Sequence, residues 1–155
     1  MIEIRPFAPD DLEQVYEIEL DSFSIPWTKE DLYKDTVLND MSVYLVATHE
    51  NNIIGYAGMW HVVNEGHITN IAVSLPYRKM GVGQRLIEGL ERIACQREMI
   101  GITLEVRMNN AQAQRLYMRN GYKVEGIRKN YYADTKEDAL IMWKHLTFDD
   151  NIKLL

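Results

Sequence analysis

The chain has 155 residues, a net charge of −6 and 46% hydrophobic residues, which suits one domain with a proper core. Acids and bases are mixed along it, so no basic stripe offers a nucleic-acid surface, and no apolar run nears the roughly 20 residues that cross a bilayer. Its one cysteine, Cys95, excludes a disulfide framework and suits a reducing cytosol. The 9 Tyr, 3 Trp and 3 Phe argue against disorder. "MIEIRPF" lacks a basic region followed by an apolar one, so no signal peptide is expected and the compartment expected is cytoplasmic.

In chain order, "IEIRPF" alternates as a short strand does and ends near Pro6. "PDDLEQVYEIELDSF" has acids where a helix N-terminus prefers them, with Leu12, Val15 and Ile18 at helical spacing. "SIPWT" breaks that helix, and Thr28 opens a second, short one. "MSVYLVATHE" and "IIGYAGMWHV" predict two strands joined at "NN", and "HITNIAVS" a third that Leu75-Pro76 ends. The period then changes: Val82, Leu86, Leu90 and Ile93 form a helical stripe through about Gln96. "IGITLEVR" reads as a strand, "NAQAQRLYMRN" as a helix stopped by Gly121, and "YKVEGIR" and "EDALIMWKHL" as strands. This order predicts an α/β (α+β) fold, a mixed sheet with helices on both faces. The strand–helix–strand unit around residues 67–107 implies one parallel pair. Residues 1–147 form the expected single domain, with 148–155 as a tail.

The stretch "PYRKMGVGQRLIEGL" places two glycines at a strand-to-helix junction. Gly-rich loops that feed a helix N-terminus favour anions, through unpaired N–H groups and the helix dipole. It is not a Walker A loop, which needs Gly-Lys-Ser/Thr, nor a dinucleotide fingerprint, because Leu86 stands where the third glycine belongs. What remains is Arg78-x-x-Gly81-x-Gly83, with Lys79 and Arg85 adding positive charge. By itself this is either an anion cradle or a Gly-flexed turn with solvated cations.

"NIAVSLPYRKMGVGQRLIEGL" resembles the acetyl-CoA-binding signature of the GCN5-related N-acetyltransferases (GNAT). The order of elements over residues 1 to about 147 resembles that fold as well. The resemblance implies a mostly antiparallel sheet of about seven strands, a central parallel pair splayed for the cofactor, and about four helices. It implies that the loop Arg78, Lys79, Met80, Gly81, Val82, Gly83 and Gln84 takes the pyrophosphate of acetyl-CoA. Ile71, Ala72 and Val73 would lend backbone groups to the pantetheine arm, as an added strand would.

Downstream, "LEVRMNNAQAQRLYMRNGYKVEGIRKNYY" is similar to the RimI-type protein N-terminal acetyltransferases, which act on the α-amine of a ribosomal protein. The matching pieces are Leu104–Arg107, Asn110–Tyr117, Gly121-Tyr122 and Arg128–Tyr132, along with "HITNIAV" and "SIPW". That family more often has Phe where this chain has Ile25. An α-amine, with a pKa of about 7.7–8, is roughly one-tenth neutral near pH 7, whereas a lysine amine near 10.4 is neutral at only a few parts in ten thousand. Modest help from a carboxylate, direct or through one water, therefore suffices for the α-amine.

By the resemblance Glu105 is that base. Alternation alone puts Leu104 and Val106 on one side of a strand and Glu105 on the other, as for a surface acid. Tyr117, an aromatic at helical spacing from Ala113, would ordinarily be core. The resemblance makes its phenol the acid that protonates the departing thiolate or hydrogen-bonds its sulfur. Asn110 is a candidate helix N-cap, and the family implies that it also holds the pantetheine. Pro26 and Trp27 would wall the slot for the N-terminal residue, with Tyr131 and Tyr132 covering it from the opposite side. No metal is expected: His49, His61, His67 and His145 lack ligand spacing, and none is assigned a function.

The expected activity is acetyl transfer from acetyl-CoA to the N-terminal residue, alanine first among candidates, of a small-subunit ribosomal protein or other protein substrate. No direct nucleic-acid or membrane partner is expected. Two alternatives stay open: acetylation of a small-molecule amine or a protein lysine, and a non-catalytic acyl-CoA-binding module.

Overall fold

The structure is a computed structural model and describes residues 1–146; the expected tail, residues 148–155, lies outside them. Among the described residues seven strands form one sheet: β1 (Ile2–Pro6), β2 (Ser42–His49), β3 (Asn52–Val62), β4 (Glu65–Val73), β5 (Gly101–Arg107), β6 (Lys123–Arg128) and β7 (Ala139–His145). Four α-helices accompany them: α1 (Leu12–Ser22), α2 (Lys29–Tyr33), α3 (Val82–Gln96) and α4 (Ala111–Arg119). The order along the chain is the expected one, and the sheet order is β1-β2-β3-β4-β5-β7-β6. Every pairing is antiparallel except β4 with β5.

β2 shows why both faces of the sheet are covered. Val43, Leu45 and Ala47 pack with Val82, Leu86, Ile87 and Leu90 of α3. The alternate residues Tyr44 and Val46 pack with Val15 and Ile18 of α1 and Leu32 of α2. A strand buried on both faces reads as the unbroken apolar run "VYLVA" rather than as alternation. Thr28 caps α2, its hydroxyl accepting from the Asp31 amide at 3.1 Å. The short helix expected there does not simply stop: it continues through a π-helical turn, Lys34–Leu38. Asp35 of that turn is buried and accepts from the Tyr44 hydroxyl and from Trp60 Nε1.

The parallel pair makes the site possible. β4 and β5 share register only at Glu65–His67 with Gly101–Thr103. Beyond that they part, and β5 continues beside β7 as far as Arg107 opposite Ala139. A shift in the β3–β4 ladder leaves Thr69 as an extra residue on β4. Such a bulge bends its strand, here at the point where β4 leaves β5. The wedge between residues 68–73 and 104–107 opens to both sides.

Candidate active site

On one side of the wedge lies a cavity of about 430 Å³, walled by the end of β4, the loop after it, the start of α3, and α4. Gly81 caps α3 with φ +80, a left-handed geometry that glycine adopts without strain. The first helical bond runs from the Arg85 amide to the Gly81 carbonyl, so the amides of Val82, Gly83 and Gln84 have no partner within the helix. A Cβ on Gly83 would come within 3.2 Å of Leu116; its absence lets α4 approach the helix start. Arg78 Nε donates to the Val73 carbonyl at 2.8 Å, which fixes the arginine at the mouth.

Of the expected cofactor residues, Ile71, Ala72, Val73, Arg78, Lys79, Gly81, Val82, Gly83, Gln84 and Asn110 all line this cavity. Met80 does not, and is 57% exposed. The Gln84 side chain turns away, exchanging hydrogen bonds of 2.7 and 2.8 Å with the Asn120 amide. Gln84 therefore offers the cavity its backbone, while its side chain ties α3 to the end of α4. Asn110 caps α4, its Oδ1 accepting from the Ala113 amide at 3.1 Å. Three helix-start amides, a left-handed glycine and two cations suit a pyrophosphate, and the unpaired edge of β4 suits an extended amide-bearing arm. The cavity fits coenzyme A.

On the other side lies a larger cavity of about 910 Å³, between the α1–α2 loop, β4, β5 and the β6–β7 loop. Trp27, Glu105, Tyr131 and Tyr132 line it; of the expected substrate residues, Pro26 alone does not. Glu105 is not a surface acid. Its side chain is 9% exposed and sits between the His67 imidazole and the Arg128 guanidinium. His67 Nε2 donates to Glu105 Oε2 at 2.6 Å, and Arg128 Nε lies 3.3 Å from Oε1. Because a carboxylate only accepts, the imidazole carries its proton on Nε2. The hydrogen bond from His67 is the main reason the Glu105 carboxyl is held below the usual carboxylate range, against the opposing effect of burial.

The two cavities meet. Ile71, Asn110, Ala113 and Tyr117 line both, so Tyr117 stands where contents of the two sides would touch. Its phenol is pushed well above the ordinary tyrosine value, chiefly by burial, so it stays protonated. The Tyr131 and Tyr132 rings meet edge-to-face at 5.0 Å, and burial raises the Tyr132 phenol to about 12.

Sequence reasoning missed several residues here. His67, like the other histidines, lacks metal-ligand spacing, and nothing else near it in the sequence gives it a role. The strand–helix–strand order implies that β4 and β5 are parallel but not their register, and it is the register, His67 beside Thr103, that brings His67 to Glu105. Glu19, late in α1, is not singled out by the sequence reading. It is 1% exposed, accepts the Trp27 amide at 2.9 Å and the Tyr56 hydroxyl, and is approached by Asn70 Nδ2 at 3.4 Å. It thus fixes the α1–α2 loop to the floor of the larger cavity. The helical spacing of Glu19 with the buried Val15 and Ile18 was the available clue.

Comparison with known proteins agrees with this geometry. The model of the acetyltransferase (GNAT) family matches residues 12–122. A Bacillus subtilis protein, provisionally named as a ribosomal protein bS18-alanine N-acetyltransferase, is 41% identical over 140 residues, covering 90% of this chain and 93% of that one. The Escherichia coli K12 ribosomal protein bS18-alanine N-acetyltransferase is 34% identical over 143 residues, covering 90% and 94%. The crystal structure of the E. coli ribosomal-protein-S18-alanine N-acetyltransferase superposes with a TM-score of 0.88 at 30% identity, over 96% of each chain. On the family match, these relatives and the splayed parallel pair, the chain belongs to the GNAT acetyltransferase family.

Proposed function

We propose that the protein acetylates the N-terminal α-amine of a ribosomal protein, with alanine as the first residue, using acetyl-CoA. The observation that carries this reading is the meeting of the two cavities at Tyr117, with the Glu105–His67 pair in the wall of the acceptor side. The activity and substrate named for the E. coli relative support the choice of acceptor.

Acetyl-CoA, when bound, supplies an acetyl thioester, and transfer forms an amide C–N bond as the C–S bond breaks. The helix-start amides of residues 82–84, with Arg78 and Lys79, hold the pyrophosphate, and the edge of β4 holds the arm. Glu105 handles the amine proton. Direct removal of a proton from an ammonium of pKa about 7.7 by a carboxylate held below its ordinary range is strongly uphill. The neutral tenth already present in solution is therefore the species that binds and reacts. Glu105 takes the proton as the C–N bond forms, when the nitrogen becomes far more acidic. His67 and Arg128 keep the carboxylate ionised and aimed. The Tyr117 hydroxyl, kept protonated by burial, donates a hydrogen bond to the departing sulfur, which leaves as a stabilised thiolate while Glu105 holds the amine's proton.

Mass spectrometry of proteins incubated with the enzyme and acetyl-CoA tests the reading. Modification confined to α-amines is the expected result. Acetylation of lysine side chains would favour the lysine alternative instead, and absence of any turnover would favour the binding module.

A further inference from the structure

Two loops face each other across the acceptor cavity: residues 23–28 between α1 and α2, and residues 129–138 between β6 and β7. One carboxylate joins them. The Ser24 hydroxyl donates to Asp134 Oδ2 from the first loop. From β5, two positions beyond Glu105, Arg107 donates through both terminal nitrogens, Nη1 to Oδ1 at 3.0 Å and Nη2 to Oδ2 at 2.9 Å. The same guanidinium lies 3.9 Å from the centroid of the Tyr132 ring. Ser24, Arg107, Tyr132 and Asp134 all line the cavity.

We propose that Asp134 is a positioning residue that latches the α1–α2 loop to the strand of Glu105 and so closes the acceptor slot into a passage entered end-on. This rests on the acceptor reading above and adds to it the residue that shapes the passage. A forked guanidinium–carboxylate pair fixes both distance and plane, so the β6–β7 loop is held rigidly against β5. The single hydroxyl from Ser24 then fastens the opposite wall to that unit. Arg107 and the Thr135 amide donate to Oδ1, and Arg107 and Ser24 to Oδ2, so the acceptor sites of Asp134 are taken up by the protein's own donors. A chain terminus passes beneath such a bridge. A side chain from the middle of a polypeptide brings two flanking segments with it and meets the bridge on both sides. The Ser24 hydroxyl and the Arg107 guanidinium hold the Asp134 carboxyl down at about 2, so the latch stays intact at working pH and is lost only as pH falls toward that value.

The test uses Asp134→Ala, Ser24→Ala and the double variant, with two independent readouts. In the substrate-free protein, amide hydrogen exchange in Asp134→Ala should speed up in both loops, and in Ser24→Ala in residues 23–28. In initial-rate assays, Asp134→Ala should raise the peptide KM about tenfold, as loss of a charge-assisted contact does. Its kcat should stay within about twofold and its acetyl-CoA KM should not move. The double variant should be no worse than Asp134→Ala alone. Unchanged exchange in residues 23–28 of Asp134→Ala, or an unchanged peptide KM, would overturn the latch. Wild-type activity on ε-amines only would overturn the acceptor reading instead, and the exchange data would still decide whether the latch exists.

Discussion

Replacing Glu105 with glutamine tests the acceptor side most sharply, because the two side chains match in shape and differ in basicity. The carboxylate has two close partners, His67 at 2.6 Å and Arg128 at 3.3 Å. An amide keeps one acceptor oxygen, so one of these contacts survives, and the imidazole can change tautomer to accept from the new NH₂ group. Folding should therefore lose only about 1 kcal/mol. The rate should fall much further. A positioned general base contributes about 10²–10⁴-fold, or roughly 2.7–5.5 kcal/mol of barrier. The lower end is expected, since about a tenth of an α-amine is already neutral near pH 7. The assay is initial rate on an Ala-first peptide at saturating acetyl-CoA, with acetyl-CoA affinity measured separately by titration. Affinity should be unchanged, because Glu105 lines the acceptor cavity and not the coenzyme cavity. A variant that keeps a third or more of the wild-type rate would refute the assigned role.

Other outcomes follow from the same geometry. Tyr117→Phe should retain acetyl-CoA binding and lose about tenfold to a hundredfold in kcat, read by stopped-time assays with thiol detection. The pH profile of kcat/KM should rise with unit slope and level near the substrate amine's pKa of about 7.7–8. Glu105 should add no break there: its folded value is depressed, so it is already ionised above the ordinary carboxylate range, and its stabilising contribution is lost only as pH falls through that lower value. Gly81→Val should weaken acetyl-CoA binding in a titration, because its φ of +80 is costly for a β-branched residue. Glu19→Ala should lower stability by about 1–3 kcal/mol in urea unfolding, since the buried Tyr56 hydroxyl and the Trp27 amide lose their acceptor.

Much of this architecture can be read locally. The shift from alternation to helical spacing at Val82, the Pro76 break and the Thr28 cap each act through nearest neighbours, and the elements fall where those signals place them. The glycine loop is legible for the same reason: Gly81 needs its backbone freedom whatever lies around it. What the sequence withheld depends on non-local pairing. Glu105 is near in sequence to nothing that restrains it; His67 and Arg128 come from β4 and β6, and only the sheet order brings them together. Ser24 and Asp134 stand 110 residues apart, and each alone is an unremarkable loop residue. Met80 stands inside the matching motif with its side chain exposed, so any part it has in the loop is played by its backbone.

The central claim is the identity of the acceptor amine, and one measurement addresses it most directly. Initial rates at fixed acetyl-CoA should be compared for short peptides beginning Ala, Ser, Met and Gly, beside a peptide whose only free amine is a lysine side chain. The highest rate is expected on the Ala-first peptide and a negligible rate on the ε-amine. An ε-amine acetylated as fast as any of the α-amine peptides would contradict it.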